Sequence, residues 1–242
     1  MVEPQKLGAG SGWSWIKEGF YYFKQNPVTW ILACIVMLII FAGLSFIPLL
    51  NLAGSLLGPV FTAGFMLGCQ KVYQGDDFTL GDLFSGFQTN AGALVLVGLI
   101  NLLMTIAVIV VAFGILIAAM GMDGMALLGQ LRSSPDPAAI LVPMLLMVLL
   151  AMALLIPVMM AYMFAPALVA IHGVPVMRSF ALSFKGCLRN MIPFFTYSIL
   201  VTLLFIAAVI PIGLGLLILI PVLICSLFAA YRQIYTDSVL AE

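Results

Sequence analysis

Long runs of hydrophobic residues alternate with short polar segments along the chain. Six runs are long enough to cross the hydrocarbon core of a bilayer as an α-helix, which takes about 20 residues. Their length and their near absence of charge predict six transmembrane helices joined by short connections. The runs cover residues 28–47, 52–73, 91–118, 140–171, 192–211 and 213–233.

A different pattern precedes the first run. When residues 13–26 are placed on a helix at about 100° per residue, aromatic side chains occupy one half of its circumference, and polar ones such as Lys17, Glu18 and Lys24 occupy the other. Wide aromatic and charged faces are typical of a helix that lies in the membrane interface. Pro27 suits the first turn of the helix that follows.

The same pattern recurs before the third and fifth runs, with a Phe and an Asn at the same spacing each time. In the second copy, Thr79 and Asp82 have the spacing of a capping box. The recurrence predicts an all-α membrane protein with six transmembrane helices as three hairpins, each preceded by an amphipathic interfacial helix. The pairs are Phe20 with Asn26, Phe84 with Asn90, and Phe184 with Asn190.

We predict a single transmembrane domain over residues 1–242, built from repeat units at about 13–75, 76–173 and 174–237. A Pro-Val dipeptide inside the second run of each hairpin supports the repeat, at Pro59, Pro157 and Pro221. The middle unit is the longest, and its excess falls around residues 114–140, which we expect to project on the extracytoplasmic side.

Charge sets the expected orientation. With six spans, both ends of the chain lie on one side, and that side carries eight of the nine basic residues, with Arg132 alone on the other. Because cytoplasmic loops carry the excess of Lys and Arg, both termini are expected in the cytoplasm. The first 26 residues do not read as a secretory signal peptide. The eight are Lys6, Lys17, Lys24, Lys71, Arg178, Lys185, Arg189 and Arg232.

Composition agrees with a membrane location. The chain is 64% apolar and 7% charged, with a mean hydropathy of +1.26, whereas soluble domains are about 25% charged. Nine acidic residues balance nine basic ones, which gives no basis for nucleic-acid binding.

Candidate catalytic residues are few. Asp76, Asp77 and Asp82 lie close together, but a solvated turn followed by a helix cap accounts for them better than a cation site. His172 is the only histidine, and its loop offers no acid as a partner for general acid–base catalysis. The four cysteines form no C-x-x-C pair and are interpreted as buried thiols. We therefore predict a protein that is not an enzyme and uses no metal and no cofactor.

The three amphipathic segments carry the residues with the clearest predicted role, because aromatic and basic side chains suit lipid headgroups or the juxtamembrane surface of a protein partner. Gln70, Lys71, Arg232 and Gln233 end the second and sixth spans and are expected to reach headgroups, with an anion site or gate as the alternative. The predicted lipid- or partner-binding residues are Trp13, Trp15, Lys17, Phe20, Phe23, Lys24, Phe84, Phe87, Phe184, Lys185 and Arg189. The predicted helix-packing residues are Gly54, Gly58, Gly64, Gly68 and Asn101.

The stretch W-x3-G-F-x2-F-x2-N-P carries a family resemblance. With the six spans and the repeated amphipathic helices, it makes the chain resemble a family of uncharacterised bacterial six-span inner-membrane proteins. The chain is also similar to the membrane domain fused to some glycerophosphodiester phosphodiesterases. The resemblance implies a bacterial inner-membrane location and supplies no catalytic motif. Its residues are Trp15, Gly19, Phe20, Phe23, Asn26 and Pro27.

Two functions remain open. The first is a non-enzymatic membrane scaffold or accessory subunit that binds membrane lipids or a membrane-protein partner. The alternative is a small transporter or channel, for a lipid or a hydrophobic small molecule, that uses a cleft between hairpins. The scarcity of charge inside the spans favours the first over transport of ions, because ion coupling usually needs buried carboxylates. A carrier of a lipid or a hydrophobic molecule escapes that objection.

Overall fold

The structure is a computed structural model that describes residues 3–46, 48–119 and 137–236. Every regular element in these ranges is a helix. A 3-10 helix, Leu80–Phe84, precedes α4. The α-helices are α1 Ser11–Gln25, α2 Pro27–Ser45, α3 Pro48–Tyr73, α4 Ser85–Thr89, α5 Ala91–Ala119, α6 Pro137–Tyr162, α7 Ala165–His172, α8 Val176–Arg189, α9 Met191–Val209 and α10 Leu216–Tyr235.

The six predicted spans are confirmed. Six stretches of the described chain are long and apolar enough to cross a membrane. Four of them are mostly exposed, while Leu52–Tyr73 and Leu216–Tyr235 are more than half buried inside the protein. Of the predicted projection at 114–140, residues 120–136 lie outside the described ranges. The six stretches are Pro27–Ser45, Leu52–Tyr73, Ala91–Ile115, Leu145–His172, Met191–Val209 and Leu216–Tyr235.

The fourth span is broken into α6 and α7. The break falls at Met163 and Phe164, just before Pro166 at the start of α7, because proline has no N–H to continue the ladder. The Ser183 hydroxyl accepts from the Phe164 N–H at 3.0 Å and donates to the Met160 carbonyl at 2.7 Å. A side chain of α8 therefore satisfies backbone groups that the break would leave unpaired.

The three repeated asparagines all occupy the same kind of position. Asn26 separates α1 from α2, Asn90 separates α4 from α5, and Asn190 separates α8 from α9. Each has a non-helical backbone, with φ of −149°, −157° and −117° respectively. The Asn26 carboxamide oxygen accepts from the Thr29 hydroxyl at 2.8 Å and the Thr29 N–H at 3.4 Å, which caps α2. An asparagine thus forms each corner between a short helix and a long one.

The second short segment differs from its prediction as one amphipathic helix. It consists of the 3-10 turn Leu80–Phe84 and the five-residue α4. The capping box of Thr79 and Asp82 is present at its start, with the Thr79 N–H donating to the Asp82 carboxylate at 2.8 Å. Gly86 lies directly against the Val60 carbonyl of α3, so the segment contacts the backbone of α3.

Contacts divide the described chain into two compact units: the described residues up to 99 together with those from 160 onward form the first, and the described residues between 100 and 159 form the second. In the first unit, α1 packs along α10 and across α9. A Cβ on Gly19 would lie 2.6 Å from the Ser226 nitrogen, and one on Gly12 would lie 2.6 Å from the Pro193 carbonyl oxygen. The two glycines let the backbone of α1 touch the backbones of its neighbours.

The predicted helix-packing residues have mixed outcomes. Gly64 lies against the Leu83 carbonyl and Gly68 against the Phe78 ring, so the close approach is to the segment after α3 and not to another spanning helix. Nothing lies within 4 Å of a Cβ at Gly58, which makes the prediction of packing there wrong. Gly54 meets only the Phe41 ring, at 3.6 Å.

Asn101 lies partly buried on α5. Its backbone carbonyl accepts from the Thr105 hydroxyl at 2.9 Å. The hydrogen bond from its side chain to a neighbouring helix stays a prediction.

Replacing Gly19 with Ala should destabilise the fold. The added methyl would meet the backbone of α10, and the two helices would have to separate, which we expect to lower the free energy of unfolding by about 1–3 kcal/mol. Thermal unfolding of the purified protein in detergent measures the change. Gly43→Ala is the control: a Cβ there meets nothing within 4 Å, so stability should stay the same or rise by up to about 1 kcal/mol. Equal melting temperatures for Gly19→Ala and the parent would contradict the backbone contact.

Candidate membrane-interface site

One stripe of α1 combines aromatic and basic side chains on the surface. Trp13, Phe20 and Tyr21 have exposed fractions of 52%, 46% and 64%, and Lys17 and Lys24 are exposed between them. Their spacing of three and four residues places them along one line of the helix. The Lys24 ammonium lies 5.8 Å from the centre of the Phe20 ring, within reach of a cation–π contact. We call these five residues the outer stripe.

The opposite face of α1 belongs to the protein core. Trp15 is fully buried and Phe23 is 5% exposed, so their prediction as lipid- or partner-binding residues is wrong. The reason is the position of the two glycines: Gly12, Trp15, Gly19 and Phe23 follow one line of the helix, and this line contacts α9 and α10. The Trp15 ring packs against Phe194 of α9, with ring centres 5.0 Å apart.

A polar network joins α1 to the end of α10. The Trp15 indole N–H donates to the Gln233 carboxamide oxygen at 2.9 Å, and the Gln233 amide donates to Glu18 at 2.6 Å. The other oxygen of Glu18 accepts from the Arg232 guanidinium at 2.7 Å. Arg232 also stacks on Tyr73, 4.5 Å from the ring centre. Arg232 and Gln233, predicted to reach headgroups, instead bind α1.

Burial affects one further side chain of α1 beside this network. Tyr22 is 5% exposed, and desolvation raises the pKa of its phenol to about 12, against the opposing effect of the nearby Arg232 charge. Tyr22 therefore remains protonated at neutral pH and adds no negative charge near the outer stripe.

The predicted basic residues of α8 bind the start of the chain. Arg189 donates to the Pro4 carbonyl at 2.7 Å, and Lys185 lies 3.9 Å from the Glu3 carboxylate. Asn190 is fully buried; its amide donates to the Gln5 carbonyl at 2.8 Å, and its oxygen accepts from the Leu7 N–H at 2.8 Å.

Around these contacts, α8 keeps an apolar surface. The exposed fractions of Met177, Phe184 and Leu188 are 71%, 36% and 51%. The predicted role of Phe184 at the surface is compatible with this position. Arg178 is exposed near the start of the same helix, so α8 also places a cation beside apolar side chains.

Phe84 and Phe87 are half exposed, at 41% each, while their rings contact Phe61 of α3 at 5.9 and 5.4 Å. The nearby Asp82 carboxylate lies 3.1 Å from the Lys71 ammonium. Burial raises the pKa of Asp82, but hydrogen bonds from Thr79 and Lys71 outweigh it and bring the pKa below its ordinary value. Asp82 is thus an ionised capping residue paired with a lysine. Within the described ranges, no three His, Cys, Asp or Glu side chains are grouped to hold a metal.

Sequence reasoning missed two pairs that the fold brings together. The Nδ1 atom of His172 lies 2.5 Å from the Tyr231 hydroxyl, and the thiols of Cys69 and Cys225 lie 3.9 Å apart in the core. Each pair joins residues more than 50 positions apart, so no local spacing could indicate it. All four cysteines are free thiols; Cys69, Cys187 and Cys225 are buried as predicted, and Cys34 is only partly buried.

Comparison with known proteins supports a membrane location. The chain is 29% identical over 202 residues to a probable inner membrane protein of Burkholderia thailandensis, covering 81% of this chain and 73% of that protein. No family model and no solved structure matches the chain. The chain is therefore similar to a bacterial inner-membrane protein, and the likeness to the membrane domain of phosphodiesterases stays a prediction.

Breaking the polar network between α1 and α10 should destabilise the fold. In Glu18→Gln the Arg232 guanidinium, whose side chain is 16% exposed, loses its charge-assisted hydrogen bond to the Glu18 carboxylate, and we expect the free energy of unfolding to fall by about 1–3 kcal/mol. Thermal unfolding in detergent measures it. Lys185→Gln is the matched control: it removes an exposed pair at 3.9 Å and should change stability by less than about 0.5 kcal/mol. A larger effect for the control than for Glu18→Gln would refute this account of the network.

Proposed function

We propose that the protein is a non-enzymatic component of the bacterial inner membrane that works by binding at the membrane interface. Its outer stripe would contact anionic headgroups, or the juxtamembrane surface of a membrane-protein partner. One observation carries the proposal: α1 is fixed to α9 and α10 by one face and keeps exposed aromatics and lysines on the other. A helix held in this way presents its outer stripe without a conformational cost.

The chemistry of the outer stripe suits that role. Trp and Tyr favour the depth of the headgroups because each has an apolar body and a polar edge. A lysine near an anionic surface contributes about 1 kcal/mol, so Lys17 and Lys24 together would favour binding by about 2 kcal/mol. Arg178 and the exposed apolar side chains of α8 would extend the same surface.

We further propose that both termini face the cytoplasm. Eight of the nine basic residues lie on that side of a six-span topology, as the positive-inside rule requires. This places the outer stripe and α8 on the leaflet that carries most of the anionic lipid charge.

The three-unit repeat also belongs to the proposal, with units at 13–75, 76–173 and 174–237. Two observations support it. Each unit turns from a short helical segment into a spanning helix at an asparagine. Each short segment also packs near the Pro-Val dipeptide of the preceding unit, and the segment of the first unit packs on the third unit. The contacts are Gly19 with Val222, Gly86 with Val60, and Ser183 with Met160.

The topology can be tested by cysteine labelling in intact bacterial cells. We expect a membrane-impermeant thiol reagent to modify Ser133→Cys and to leave Met177→Cys unmodified, since Met177 is 71% exposed but would face the cytoplasm. Permeabilised cells should label both variants, which controls for reactivity. The reverse pattern in intact cells would overturn the proposed orientation.

The role of the outer stripe can be tested with lipid. We expect Lys17→Gln with Lys24→Gln to reduce retention of phosphatidylglycerol by the purified protein about tenfold or more, because two lysines are worth about 2 kcal/mol. Retention of phosphatidylcholine should not change. Native mass spectrometry of the detergent-solubilised protein measures both.

The matched control is Lys6→Gln alone, compared with Lys17→Gln alone: each removes one exposed charge, and Lys6 lies outside the outer stripe. An equal loss in both single variants would mean that net charge, and not the outer stripe, attracts the lipid. An unchanged phosphatidylglycerol content in the outer-stripe variant would reject its role in lipid binding.

A further inference from the structure

An apolar groove runs between α2 and α10, inside the region that two spanning helices place in the bilayer. It has a volume of about 500 Å³. Polar groups are almost absent from its wall, and the Ser45 hydroxyl at one end already donates to the Phe41 carbonyl at 2.8 Å. Lining residues include Ile31, Ile35, Leu38, Ser45, Leu217 and Ile224.

Proline helps to explain why the two helices do not close on each other. Pro221 lies inside α10 and lines the groove. Having no N–H, it cannot bond the Leu217 carbonyl, and its ring pushes on the preceding turn. On the N-terminal side of Pro221, the side chains of Leu217 and Ile220 are 45% and 44% exposed, although α2 runs alongside. Pro221 thus lies at the point where the two helices leave the groove open.

The size of the groove selects among the possible occupants. From Ile31 to Ser45, α2 rises about 21 Å at about 1.5 Å per residue. Spread over that length, about 500 Å³ gives a mean cross-section of about 24 Å². This is too narrow to enclose a helix of about 5 Å radius, but it leaves room for one unbranched hydrocarbon chain. A polar, water-soluble ligand does not suit this wall, because the wall offers almost no hydrogen-bonding partner.

We propose that this groove is a binding site for one hydrocarbon chain of a membrane lipid. The chain would lie along α2 from Ile31 toward Ser45, in contact with Leu217 and Ile224 of α10. The groove is about 21 Å long, which is more than half of the thickness of the hydrocarbon core, about 30 Å. The site therefore favours long chains. Lipid tails gain no hydrophobic energy by leaving other tails, so binding rests on packing in the groove. The site does not depend on headgroup binding by the outer stripe.

Photocrosslinking tests the proposal. The full chain is reconstituted in vesicles of phosphatidylethanolamine and phosphatidylglycerol with a trace of phospholipid that carries a diazirine in its acyl chain. We expect crosslinks on residues 31–45 and 216–224 to exceed those on the exposed face of α9, at Leu203 and Ile206, by about tenfold. That ratio follows from roughly ten extra atom contacts at about 0.1–0.2 kcal/mol each. An even distribution over all spans would overturn the site.

Two variants of α2 give a matched comparison. Ile35→Trp adds bulk inside the groove and should abolish the excess labelling. Ile39→Trp makes the same change at a position that is 61% exposed and outside the groove, and it should leave the excess intact. Ala42→Trp fills the groove from another point and repeats the test if Ile35→Trp fails to fold. Persistence of the excess in a folded groove variant would refute the proposal.

Two further outcomes separate this site from its rivals. Lys17→Gln with Lys24→Gln should leave groove labelling unchanged even if headgroup retention is lost, so the two proposals fail independently. Intermolecular disulfides between Leu38→Cys chains, together with absent lipid labelling, would assign the groove to a second copy of the protein and overturn the lipid site.

Discussion

Two glycines and a glutamate hold α1 against the last two spanning helices. Gly12 and Gly19 remove the side chains that would keep the backbones apart, and Glu18 then binds Arg232 and Gln233 at the end of α10. The contacts of Glu18 depend on those of the glycines, because the short side chain of Glu18 reaches α10 only when the two helices lie close together. The burial of Trp15 and Tyr22 follows from the same approach.

This packing places one face of an amphipathic helix in the protein core and leaves another on the surface. An isolated amphipathic helix would bury its whole apolar face in lipid, but α1 uses the glycine-lined part of that face for the protein core. The outer stripe lies where the apolar and polar halves meet, so lysines and aromatics alternate along it. Its position relative to the bundle is fixed, and the stripe can serve as a rigid binding surface.

Hydropathy predicted the spanning helices well, since about 20 apolar residues have few stable alternatives to crossing a bilayer. The asparagine corners were also visible, because Asn and Pro mark helix boundaries locally. Trp13 and Trp15 could not be told apart, since both sit on the aromatic half of the helical wheel and only the partner helix decides which is buried. The break at Phe164 depends on a hydroxyl from Ser183 in the next helix, and the His172–Tyr231 contact depends on the folded bundle. Such contacts lie between distant positions and leave no periodic signal.

The link between α1 and α10 has a consequence for the order of events during biosynthesis. Trp15 and its partner Gln233 are separated by 218 positions, which a ribosome translating about 5–20 residues per second covers in roughly 10–40 s. Throughout that interval the inner face of α1 has no α10 to bind. Its aromatic residues would favour the lipid–water boundary during that time. If α1 lies at the interface as proposed, its full apolar face would contact lipid during this interval, and the arrival of α10 would move part of that face into the protein core.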